Sequence, residues 1–212
     1  MSALLASVAA GRSALYWMLA DLFLTVPNDA LVHRLARDLP TAAQDQVDTA
    51  RDLAALRATL PREPADVATL ADEYKRLFGG LQRNGGPVPP RESLHRTIAA
   101  RETPDAFYAK AGLAAFEPGA PPDHLGVEFR FMALMCHGES AAWRAGRIAE
   151  ARGALANERD FLDWHVLAWA PSYLATLERE ARQAFYRVLA AIAAHALVAD
   201  RTAIEQILNE GG

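Results

Sequence analysis

Three features of the chain predict an all-α fold. Apolar residues recur at intervals of three and four through most of its length. Proline and glycine collect between those stretches, and no run alternates apolar with polar residues as a half-buried strand would. The expected architecture is a bundle of roughly nine to ten helices. It is read as one domain over residues 1–212, with sub-blocks 1–116 and 123–212 joined by a Pro/Gly-rich hinge at 117–122.

In the first helix Leu4, Leu5, Val8, Leu15, Leu19, Leu22 and Phe23 share the helical spacing, and Pro27 ends it. Asn28 or Asp29 caps a short helix through Leu39, and Pro40-Thr41 opens another to Leu60. A fourth runs over 64–78, stopped by Gly79-Gly80. Thr103 followed by Pro104 is a cap with proline at the first helical position, starting a helix over 105–113. Further helices are expected over 123 to about 145, 148–169, 172–197 and 200–209. Residues 79–90 hold four glycines and three prolines, and 117–122 hold three prolines and a glycine, so both stretches read as loops.

The chain has 212 residues, 51% of them hydrophobic and 23% charged, with a mean hydropathy of -0.02. That balance argues against a disordered, fibrous or membrane-embedded chain. The net charge is -4, and residues 1–60 carry five Arg against six Asp. An all-helical transcription regulator of the tetracycline-repressor type, the alternative reading, needs a basic helix-turn-helix in that region, so the charge counts against it. Cys136 is the single cysteine, so no intramolecular disulfide or Cys-rich zinc site can form. The apolar N-terminus lacks the leading positive charge of a signal peptide, its first cation being Arg12. It reads as an amphipathic core helix of a cytoplasmic protein.

Catalytic chemistry is sparse. There is no Gly-x-Ser-x-Gly elbow, no phosphate loop and no dinucleotide fingerprint. A ferritin-like dinuclear site needs two Glu-x-x-His motifs, whereas Glu92-Ser93-Leu94-His95 is alone. His124 and Glu128 lie one turn apart, but two ligands do not make a metal site. Glu128 stands within an otherwise apolar helix and therefore needs a partner or a proton. Asp123, His124 and Glu128 either satisfy one another and their neighbours or line a polar pocket beside the loops.

Four ordered blocks carry a resemblance. They are Glu73-Tyr74-Lys75-Arg76-Leu77-Phe78-Gly79; Val88-Pro89-Pro90-Arg91-Glu92-Ser93-Leu94; Glu117-Pro118 with Pro122-Asp123-His124-Leu125-Gly126-Val127-Glu128-Phe129; and Phe161-Leu162 with His165, Trp169 and Pro171. Together they resemble the signatures of the TorD/DmsD family of redox-enzyme maturation chaperones. Leu94 departs from that pattern, which often has an aromatic there. The resemblance implies a cytoplasmic chaperone, not an enzyme. Such a protein binds the twin-arginine leader and apo form of a molybdopterin oxidoreductase until the cofactor is inserted. It implies leader contacts at Pro122, Asp123, His124 and Glu128, then at His165 and Trp169, with Glu117, Pro118 and Pro121 in the hinge. No resident cofactor, metal or nucleic acid is expected. Transient contact with molybdopterin guanine dinucleotide or a guanine nucleotide is left open, as is a monomer against a hinge-exchanged dimer.

Overall fold

The structure, a computed structural model, describes residues 1–39, 48–79, 85–96, 102–113 and 120–210. These form helices α1 (Ser2–Leu24), α2 (Asp29–Asp38), α3 (Asp48–Ala58), α4 (Pro64–Phe78), α5 (Glu92–His95), α6 (Pro104–Lys110), α7 (Leu125–Arg144), α8 (Ile148–Phe161), α9 (Ala170–Glu180) and α10 (Ala184–Asn209). A π-helical turn, Leu162–Val166, follows α8. No strand occurs among the described residues, where the isolated β-bridge between Arg91 and His124 is the nearest approach to one. The class is all-α.

The described residues divide into two units, each built from separated segments. The first holds 1–24, 91–170 and 197–212; the second holds 25–90 and 171–196. Of the hinge residues, Glu117 and Pro118 lie outside the described residues, and Pro121 belongs to the first unit.

In the first unit α1 lies along α7. The inward face of α1 is half small and half large, with Ala6, Ala9, Ser13 and Ala20 buried beside Tyr16, Leu19, Leu22 and Phe23. Leu4 and Val8, expected in the core stripe, are 68% and 40% exposed. Around Ala6, Ala9 and Ser13 the small side chains allow a close approach of α1 to α7. A Cβ on Gly126 would fall 2.6 Å from Leu24 Cγ, and Ser13 and Ser140 donate hydroxyls to Ala133 O and Ala6 O at 2.8 and 2.7 Å. The helix is thus apolar nearly all round rather than two-faced. By length and composition alone it would suffice to cross a membrane.

What ties α1 to its neighbours is Arg12. Its guanidinium donates to Glu139 of α7 at 2.6 Å, to Glu158 of α8, and to Asp200 of α10, which also accepts from Tyr16 Oη at 2.6 Å. One cation cannot neutralise three buried acids. Burial, then the neighbouring carboxylates, push Glu158 up to about 8 despite Arg12, so Glu158 keeps a proton near neutrality.

Tertiary contacts also move three helix boundaries. Helices expected at 172–197 and 200–209 are one continuous α10, because Asp200 turns inward to Arg12 instead of capping a new helix. The break falls at residues 181–183, where the Arg182 N–H donates to Glu73 at 2.6 Å and Arg76 donates to Glu180 O at 2.8 Å. The expected helix 148–169 passes through the π turn, whose Leu167 N–H reaches back to Leu162 O at 2.8 Å. Pro171 stands in the first turn of α9, where its missing N–H costs nothing, and both His165 and Trp169 are buried.

Arg12→Ala strands three buried carboxyl groups and is expected to cost about 3–5 kcal/mol. The melting temperature read by circular dichroism should fall by roughly 6–20 °C. Glu158 has a raised folded pKa, so its contribution is present below about 4.5 and lost as pH rises towards about 8. Glu158→Gln should therefore gain stability relative to the parent chain as pH rises through that window, as measured by urea midpoints.

Candidate functional site

Where the proline-rich segment ends, the backbone is extended. Arg91 sits at φ -127° and ψ 127° and bridges to His124, with the Glu92 N–H donating to Asp123 O at 2.8 Å. This bridge sets the single turn α5 against the start of α7. Between them and the first turn of α6 lies a cleft of about 510 Å³. Arg91, Glu92, Ser93 and Arg96 form one wall, residues 102–105 another, and Pro122 and Asp123 the floor.

Asp123, although aspartate is a favoured capping residue, does not cap α7. Its Oδ2 accepts from the Ser93 N–H at 3.2 Å and from Ser93 Oγ, and its Oδ1 from Arg91 Nε at 3.1 Å. Burial opposes ionisation, but these donors outweigh it and hold Asp123 below the ordinary carboxylate range. His124 takes over as cap, its Nδ1 accepting from the Gly126 N–H at 3.1 Å. That bond requires an unprotonated Nδ1. Burial, helped by Arg91 and opposed by Asp123, accordingly lowers the imidazole to about 4. The Pro122 carbonyl accepts from Tyr108 Oη at 2.8 Å, which fixes the floor to α6.

Glu128, one turn on, is 0% exposed. Burial first, then the charges of Glu92 and Asp123, push its carboxyl well above the ordinary range against the opposing Trp169 indole and Arg96. Glu128 is therefore the protonated acid of the group. Glu92 accepts from Arg96 and pairs with His165 Nδ1 at 3.0 Å, and Trp169 stacks on His95 with ring centroids 5.2 Å apart. Arg96 also donates to Trp164 O at 2.6 Å. His165 packs on Phe161 and Phe107, in an aromatic cluster completed by Tyr108 and Phe131.

The six expected contact residues thus fall into two layers. Pro122 and Asp123 line the cleft, and His124 supports it as a helix cap. Glu128, His165 and Trp169 lie beneath, buried. The spacing of 123–128 did not point to Arg91, Ser93 and Arg96, although all belong to or adjoin the Pro-Pro-Arg-Glu-Ser block. The usable signal was chemical: a buried aspartate requires donors, and that block supplies a guanidinium and a hydroxyl. Leu94, at the departure from the family pattern, is exposed.

Neither metal arrangement weighed from the sequence assembles here. Glu92 and His95 turn to different partners, and His124 Nδ1 is committed to its cap. Elsewhere, Cys136, Glu139 and Glu158 bring ligand atoms within 4.8 Å of one another, but Arg12 already sits on both carboxylates.

The sequence profile described as nitrate reductase delta subunit matches residues 42–175, which include every cleft-lining residue. A selenate reductase assembly chaperone protein of Thauera selenatis is 49% identical over 57 residues, 27% of this chain and 28% of that protein. A chlorate reductase assembly chaperone protein of Ideonella dechloratans is 47% identical over 57 residues, with the same shares. The chain thus matches under a third of the length of these relatives.

His124 supplies a test of the cap. Its folded pKa lies near 4 against an ordinary 6.5, so stability is lost as pH falls through that window. His124→Asn keeps a capping oxygen but does not titrate. Relative to the parent, the variant should gain on the order of 2–3 kcal/mol between the two ends of the window, read by urea midpoints.

Proposed function

Because the chain belongs to the nitrate reductase delta subunit family, into which the TorD/DmsD-type maturation chaperones fall, we propose that it is a reductase assembly chaperone and not an enzyme. It acts in the cytoplasm. It grips the twin-arginine leader and apo form of a molybdopterin oxidoreductase, and releases them for export once the cofactor is in place. The observation that carries this reading is the cleft. Glu92, Glu102, Asp105 and Asp123 on its lining face Arg91 and Arg96, and even with Lys110 paired to Glu102 the balance stays acidic by one, which favours a cationic guest.

A leader offers planar guanidinium groups followed by an apolar stretch. Carboxylates match the first through paired, charge-assisted hydrogen bonds. Pro104, Pro122 and the arginine stems supply apolar surface for the second. In this reading Pro122 and Asp123 touch the leader. His124, Glu128, His165 and Trp169 act from behind, holding the start of α7 and the Glu92 carboxylate in place. The same reading leaves two states, a monomer or a hinge-exchanged dimer, which light scattering across a concentration series tells apart. A DNA-binding role has no support: Arg12, the first cation, is buried among acids.

Calorimetric titration of a cognate leader peptide tests the assignment. Asp123→Ala is expected to weaken binding on the order of tenfold or more, through loss of a charge-assisted contact. His124→Ala should weaken it less, by loosening the floor. Helix content by circular dichroism should be unchanged in both. Undiminished affinity in both variants would remove this region from the binding surface.

A further inference from the structure

The cleft is acidic, yet its best acceptor is already occupied from within. Asp123 divides its work between two oxygens. Oδ2 is anchored by Ser93 through both N–H and hydroxyl, while Oδ1 accepts from Arg91 Nε at 3.1 Å. The Arg91 backbone is pinned by its bridge to His124, but its side chain is 38% exposed. Arg96 is held differently. It is more buried and engages both the Glu92 carboxylate and the Trp164 carbonyl. The two arginines on this wall are therefore unequal, one locked and one able to swing on a fixed stem.

We propose that Arg91 is a resident stand-in for an arginine of the guest peptide: its guanidinium occupies Oδ1 of Asp123 in the free chain and yields that oxygen when the peptide binds. The inference rests on the leader reading above and adds how the site is kept satisfied while empty. A buried carboxylate with one open oxygen would be costly to leave unpaired. The stand-in removes that cost, and Ser93 keeps the carboxylate aimed while the guanidinium groups change places. Exchange of like for like also restrains affinity, because each guest contact replaces a contact of the same chemistry. Lysine is a poorer competitor, since a compact ammonium does not reproduce the planar donor pair.

The test uses the full chain and two probes. The first is a synthetic peptide with consecutive arginines ahead of a leucine- and alanine-rich stretch, titrated against the parent chain and Arg91→Met. Methionine keeps an unbranched apolar stem and removes the competing charge. Binding should tighten about three- to tenfold in Arg91→Met, as expected when a partly exposed ion pair no longer has to be broken. The same peptide with lysines in place of arginines should gain less. Arg91→Ala is the second variant should methionine disturb the fold. Equal or weaker binding in the variants overturns the proposal.

The second probe is N-acetyl-L-arginine amide, which needs no leader. Added to isotope-labelled protein, it should shift the Arg91 Nε–H resonance to that of a solvated guanidinium and leave the Arg96 resonance in place. An Arg91 resonance unmoved at the highest soluble concentration overturns the proposal. If the peptide binds no variant, the leader reading falls, and the amide titration still decides whether Arg91 yields its oxygen.

Discussion

The first unit is organised round the Arg12 guanidinium and the three acids that converge on it from α7, α8 and α10. Side chains that are merely apolar would let α1 slide or rotate on α7, since dispersion and burial are nearly direction-free. A fork of five donors is not direction-free. Once Arg12 faces Glu139, Glu158 and Asp200, the small residues of α1 must face α7, and Gly126 must lie under Leu24 and Phe23. The arrangement also has an internal charge logic. The Trp143 indole satisfies the second oxygen of Glu139, Tyr16 that of Asp200, and Glu158 keeps its proton.

That fixed α7 carries the site at its N-terminus. Three titratable groups within six residues have three different fates, each set by its neighbours. Donors from Ser93 and Arg91 hold Asp123 ionised against burial, burial keeps His124 neutral so that it can accept from the Gly126 amide, and burial beside other acids keeps Glu128 protonated. Sequence distance has no say in this. Glu92, also buried, lies on another element and pairs with Arg96 and His165.

Several family-like blocks have a structural explanation independent of any ligand. Glu73 and Arg76, one turn apart on α4, form an ion pair that also binds the Arg182 amide and the Glu180 carbonyl. In the later block the π turn Leu162–Val166 carries a buried His165, Trp169 is buried just after it, and Pro171 stands in the first turn of α9. Pro-Pro-Arg-Glu-Ser is the block that serves the cleft, through an extended residue, a one-turn helix and the two donors to Asp123.

Much of this was legible in the order of residues. The helical spacing, the Asn28 cap that accepts from the Leu31 amide, the proline opening α6 and the glycine-rich breaks are local chemistry, decided within a few residues. The all-α class and the family-like blocks follow from the same short-range record. What the chain alone did not decide was every choice made by a partner distant in sequence. Asp200 turns inward because Arg12 is there, the α9 break falls at 181–183 because Glu73 takes the Arg182 amide, and Asp123 gives up the cap because Ser93 and Arg91 claim it. A side chain with two available roles takes the one whose partner arrives already held by the fold, and only the tertiary structure brings that partner within hydrogen-bond reach.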